Sequence, residues 1–128
     1  MNTFEDNQLL LQSTITDMIS DIKDNILTRE DEQNDLMFVE FYFSKLHPEM
    51  IARNVIKKVL PYKNAIEKRD EGFFKQNKFI FSGLDDSKYA YYENIFSDST
   101  RMNVQDKQIL WDYFDTLILL AERIKKND

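Results

Sequence analysis

Apolar residues recur at helical spacing along almost the whole chain. Placed at about 100° per residue, Phe4, Leu11, Ile15, Met18, Ile19, Ile22 and Ile26 fall on a narrow stripe, with Asp6, Asp17, Asp21 and Asp24 on the far side. That pattern predicts a peripheral helix with an acidic outer face. Leu36, Phe38, Val39, Tyr42, Phe43 and Leu46 span about 160°, and Met37 and Phe41 carry the apolar surface further round. Between Ile109 and Ile124 the apolar positions cover more than half the circumference. The helices at about 31–46 and 104–125 are therefore expected to form the central pair of a bundle. Phe43, Trp111, Phe114 and Leu117 should be buried close together between them. The spacing never settles into a strict heptad, so a long coiled coil is not expected.

Helix ends must be set largely by caps, because the chain has only two Gly and two Pro. Thr28 with Asp31 three positions on reads as an acidic capping box. His47 precedes Pro48, which suits a first helical turn. Pro61 should end or kink one helix and open another. Asp85 can cap the segment after Gly83-Leu84, and Asn103 with Asp106 opens the last helix. Helices at about 4–27, 31–46, 48–60, 62–69, 85–96 and 104–125 follow. Residues 70–82 stay open: Phe73, Asn77 and Ile80 fit a helical turn, while Phe79-Ile80-Phe81 equally fits a short extended piece. The expected fold is all-α, a single domain over residues 1–128 with five to seven helices. Repeats, linkers and low-complexity tracts are not seen.

Composition supports a folded core, with 42% hydrophobic and 13% aromatic residues. The chain has no cysteine, which removes disulfides, thiolate metal sites and a cysteine nucleophile. The segment Met1–Asp6 has no basic, apolar leader character, and no run approaches the ~18 apolar residues of a membrane span. An intracellular, soluble protein is expected, in the cytoplasm of the producing or infected cell or in a virion. The net charge of −6 is unevenly placed: residues 1–46 carry −7, residues 47–80 carry +4 and residues 81–128 carry −3.

Catalytic machinery is not evident. The one histidine, His47, sits at a helix start and reads as a cap rather than a general base. A di-metal bundle site needs more histidine than this. Glu30 to Asp35 resembles a calcium loop in composition but lacks its central Gly and closing Glu, and an acid-rich helix start explains it. Gly72 and Gly83 are too far apart to cradle a phosphate. The pairs Asp17/Asp21 and Asp112/Asp115 lie on polar faces, where nothing perturbs them for acid–base work. The expectation is a non-catalytic protein with no cofactor, no metal and no small-molecule substrate.

Two surfaces remain. Leu9, Leu10, Met37, Phe41 and Leu119 fall off the apolar faces of their helices and are candidate contacts to another protein, or to a second copy. Arg53, Lys57, Lys58, Lys63, Lys68, Arg69, Lys75 and Lys78 are interleaved with Tyr62, Phe73, Phe74, Phe79 and Phe81. Charge with stacking rings is what a single-strand binder uses, so these cations are the alternative, nucleic-acid contacts. Against that alternative, the rings are wanted in the core and the whole chain is acidic. A protein-interaction role, as adaptor, structural or self-associating component, is the leading expectation.

Arg69-Asp70-Glu71-Gly72-Phe73-Phe74, Asn77, Ile80-Phe81, Leu84, Lys88 and Tyr91 form one run of a broader pattern. It continues with Asp106-Lys107, Ile109, Trp111, Tyr113-Phe114, Leu117 and Leu120-Ala121-Glu122. Over about residues 64–122 this pattern resembles small uncharacterised helical proteins of large nucleocytoplasmic DNA viruses. The resemblance implies a helical architecture and a viral source, as accessory or virion component. It implies no activity and no site residues.

Overall fold

The stripe that starts at Phe4 folds as one long helix. The computed structural model describes residues 3–126; Met1, Asn2, Asn127 and Asp128 lie outside the described residues. Helix α1 (Thr3–Asp21) runs into a π-helical turn at Ile22–Ile26. After a short connection, α2 (Glu30–Ser44) folds back against it. Gln33 Nε2 donates to the Lys23 carbonyl at 3.1 Å, and Lys23 Nζ pairs with Glu40 at 2.7 Å. Then come α3 (Pro48–Lys58), a 3-10 turn at Leu60–Tyr62, and α4 (Lys63–Glu67). The chain ends with α5 (Gly72–Gln76), a second 3-10 turn at Phe79–Phe81, α6 (Asp86–Phe96) and α7 (Val104–Lys126). The described residues contain no strand, and the fold is an all-α single domain.

Local chemistry places most of the helix starts. His47 Nδ1 accepts from the Glu49 N–H at 3.2 Å, with Pro48 in the first turn. Asp85 accepts from the Lys88 N–H at 3.0 Å. Asn103 and Asp106 exchange side-chain-to-backbone bonds at 2.8 and 3.1 Å. The start of α2 differs from expectation: the cap is Arg29 rather than Thr28, because Glu32 reaches back to the Arg29 N–H at 3.3 Å. The end of α4 is unusual in another way. Arg69 adopts φ 55°, the left-handed position normally given to Gly after a helix, and the Asp70 N–H bonds back to the Ala65 carbonyl. Arg69 is held there by a two-pronged pair with Asp115, both bonds 2.7 Å, and by lying over the Trp111 ring.

The segment that the sequence left open is buried and supplies much of the aromatic part of the core. Phe73, Phe74, Phe79, Ile80 and Phe81 are each 3% exposed or less. Phe74 lies 4.4 Å from Trp111 and stacks on Phe96 at 4.9 Å, while Phe73 meets Phe114 edge-on at 4.9 Å. Phe81 stacks on Tyr92 at 4.4 Å. Residues 70–82 thus hold helix α5 and a 3-10 turn, not an extended piece.

The central pair is α1 and α7, which corrects the expected pairing of 31–46 with 104–125. α7 is central as its wide arc implies, but α1 is the helix that runs along it, with α3 and α2 on α1's flanks. The helix expected to be peripheral is therefore half of the central pair, although its outer face, with Ser13, Thr16 and Asp17, stays exposed. Its buried face includes Asn7 and Gln8 as well as Leu11, Ile15, Met18 and Ile19, so the apolar stripe alone understates its contact. α2 lies to one side. Phe43 is buried there against Phe79 at 5.6 Å, whereas Trp111 and Phe114 gather around Phe73 and Phe74.

Candidate interaction surface

α2 has two dissimilar sides. Leu36, Val39 and Phe43 point into the core. On the opposite side, Met37, Phe38 and Phe41 are 58%, 53% and 58% exposed. The three positions lie within about 100° of one another around the helix, so they form one strip. With aromatic side chains offering roughly 150–250 Å² each, the exposed apolar area is on the order of 300 Å². A strip of that size is comparable to the largest apolar patch of an ordinary monomer, which is often the functional one. Lys45 closes one end, with Nζ 4.7 Å from the Phe41 ring centre.

The helix carrying the strip is tied down on its inner side. Glu32 is fully buried and accepts from the Tyr91 hydroxyl at 2.6 Å and from Arg101. Burial alone would raise its pKa, but the bonds from Tyr91, Arg101 and the Arg29 N–H, with the Arg101 charge, hold it below the usual carboxylate range. Asp35 accepts from the Tyr92 hydroxyl at 2.6 Å and pairs with Lys88 at 3.0 Å. Burial first, and then the Asp35 bond, push the Tyr92 hydroxyl pKa up. These bonds fix α2 to α6 and to the turn before α7, so the strip sits on a positioned helix.

The structure divides the five sequence-predicted apolar contacts. Met37 and Phe41 share the α2 strip, and all five are about half exposed or more. Leu9 lies in a separate hollow with Phe4, His47 and Pro48, and Leu119 in another with Lys63, Asp115 and Glu122. Leu10 is 51% exposed on α1. Phe38 belongs to the strip and was expected in the core. Its angular position at the rim of the inward arc gave no signal of exposure.

The eight candidate cations also separate. Arg53 pairs with Glu49 at 2.8 Å, Lys63 with Glu122 at 2.9 Å, Arg69 with Asp115, and Lys78 with Asp86 at 2.9 Å. Lys57, Lys58, Lys68 and Lys75 have no carboxylate partner among the described residues. Lys57, Lys58 and Lys78 border a groove of about 480 Å³ that no acidic side chain lines. Tyr42 and Tyr62 form part of its wall. Gly83 passes close to Tyr42 with φ 94°, where a Cβ would stand 2.9 Å from the ring. Of the interleaved rings, Phe73, Phe74, Phe79 and Phe81 are buried, and only Tyr62 is part-exposed. Among the described residues, no group of three or more His, Asp and Glu side chains is arranged to hold a metal. No helix among them is long and apolar enough to cross a membrane. Comparison with protein-family models, curated proteins and solved structures finds no match.

Proposed function

We propose that this protein works by protein–protein contact through the α2 strip, and not by catalysis. One observation carries the reading. Three large apolar side chains, each more than half exposed, stand side by side on a helix whose other face is tied into the core. Scattered exposed leucines need no explanation, but a contiguous apolar strip on a fixed helix is the kind of surface that docks protein. Phe and Met are also residues enriched at the centres of protein interfaces.

The test compares tagged wild type with the double variant Met37→Glu/Phe41→Glu in native extract, followed by reconstitution of each contact from purified components. Proteins bound by wild type, an untagged copy of this chain included, should be lost at least ~10-fold from the double variant. That loss corresponds to about 1.4 kcal/mol. Leu119→Glu, which places the same charge in a different hollow, should retain them. Circular dichroism confirms that all three chains are folded. An identical bound set for wild type and the strip variant would overturn the proposal.

The groove beside Lys57, Lys58 and Lys78 favours a second reading, contact with a nucleic-acid strand. It ranks below the first because half of the candidate cations are held in ion pairs and most of the rings are buried.

A further inference from the structure

We infer that the α2 strip is covered by the same strip of a second copy of this chain. The two helices would lie antiparallel about a twofold axis near Phe38 and Phe41. The inference rests on the reading above, that this strip docks protein, and adds the identity of the occupant.

The charges around α2 support it. Acidic groups on its flanks are satisfied within the chain: Glu32 by Arg101, Asp35 by Lys88 and Glu40 by Lys23. Glu30 and Asp31 at the N-terminal end form no direct ion pair among the described residues, Asp31 acting on Lys88 only at longer range, and Lys45 at the C-terminal end has no carboxylate partner there. The two ends are about 22 Å apart along the helix, so they do not neutralise each other in one chain. An apolar middle between an acidic end and a basic end is complementary to its own reverse.

The register follows from the sequence positions. If Asn34 of one copy faces Lys45 of the other, Phe38 faces Phe41 in both directions, and the apolar middles meet. Each Lys45 then approaches Glu30 and Asp31 of the opposite copy, one helical turn beyond Asn34. The helix dipoles also oppose one another. A parallel arrangement would set Glu30 on Glu30 and Lys45 on Lys45, which like-charge repulsion disfavours. The antiparallel contact is isologous, so it closes at two copies instead of propagating. An apolar area on the order of 300 Å² is below the ~800 Å² each partner buries in a standard interface. The dimer should therefore be reversible, with a Kd of roughly 10–100 µM.

The absence of cysteine makes cross-linking unambiguous. Asn34→Cys and Ser44→Cys proteins, both altered at exposed positions of α2, are oxidised separately and as a mixture. The mixture should give a disulfide-linked pair that joins position 34 of one copy to position 44 of the other, with little product from either protein alone. A dominant product from Asn34→Cys alone would overturn the antiparallel register. Sedimentation equilibrium supplies a second arm. Lys45→Glu should weaken the dimer roughly tenfold, and adding Glu30→Lys and Asp31→Lys to it should restore association. A dimer indifferent to both charge changes would overturn the inference, as would a wild type that stays monomeric at ~200 µM, above the expected Kd. If that monomer still loses a different partner on Met37→Glu/Phe41→Glu, only the second copy is excluded. If it loses none, the docking reading falls as well.

Discussion

Glu32 shows how much a single buried side chain contributes to the display of α2. It has no exposed surface, and both carboxylate oxygens are used: one accepts from the Arg29 N–H, the other from Tyr91 and Arg101. Replacing it with Gln would leave Arg101, whose side chain is 19% exposed, without its anion. The expected loss is about 3 kcal/mol near neutral pH, the lower end for a broken buried pair because Arg101 keeps some solvent. The pH dependence follows from the depressed pKa. A carboxyl whose folded value lies below its unfolded value of about 4.3 contributes stability that is fully present above that unfolded value. The contribution is lost as pH falls through the folded value. The difference in urea unfolding between wild type and Glu32→Gln should therefore narrow as pH falls from about 5 to 3. A gap that stays constant over that range would assign the deficit to packing instead of charge. The exposed pair Arg53–Glu49 is the contrast, since neither side chain is withdrawn from water and little stability depends on it.

At the scale of the element, α2 explains why arc width misjudged the centre of the bundle. Its apolar arc combines a buried side, Leu36, Val39 and Phe43, with an uncovered side, Met37, Phe38 and Phe41. The expected consequence is a sharp difference in stability between neighbours on one helix. Phe43→Ala should cost about 3–5 kcal/mol, while Phe38→Ser should stay within ~0.5 kcal/mol of wild type. Urea denaturation followed by circular dichroism reads both, and a Phe38→Ser loss near that of Phe43→Ala would return Phe38 to the core. Periodicity reports which side chains are apolar, not which neighbour covers them. For that reason Met37 and Phe41 were legible as off-face residues, while Phe38 at the rim of the arc was not. α1 was misplaced for the converse reason, because Asn7 and Gln8 help to bury it without adding to its apolar stripe. The caps at His47, Asp85 and Asn103 were legible because their bonds join residues two or three positions apart. The cap at Arg29 was not read, although its bond to Glu32 also spans three positions, because Arg101 and Tyr91, which hold Glu32 inward, come from far along the chain. Residues 70–82 carry no clear period because their helix is five residues long and their 3-10 turn three, each too short for a face to repeat.

For the molecule as a whole, the separation of charge along the sequence becomes neutralisation in space. The basic middle lies against acidic groups of α7 through Lys63–Glu122 and Arg69–Asp115, and Lys107 of α7 pairs in return with Glu71. What remains for a polyanion is the groove with Lys57, Lys58 and Lys78, with Lys68 and Lys75 outside it and unpaired among the described residues, on a chain of net charge −6. Lys78 already shares its charge with Asp86 and lies 5.0 Å from the Tyr89 ring centre. Stacking is restricted too, because Phe79 and Phe81 are 2% and 3% exposed and their faces are occupied by the core. Few cations and few free rings predict weak binding to single-stranded DNA or RNA, with a Kd no tighter than ~10⁻⁴ M near physiological salt. Three phosphate contacts from the groove would give a salt slope of about −2 on logarithmic axes. Fluorescence anisotropy with a labelled oligonucleotide at two salt concentrations measures both quantities. The triple variant Lys57→Glu/Lys58→Glu/Lys78→Glu, checked for retained helical circular dichroism, separates the groove from the rest of the surface. Sub-micromolar binding that weakens steeply with salt and disappears in that variant would make the groove the functional site. Weak binding unchanged in the variant would exclude the groove as a nucleic-acid site and leave the proposed docking at the α2 strip as the reading to test.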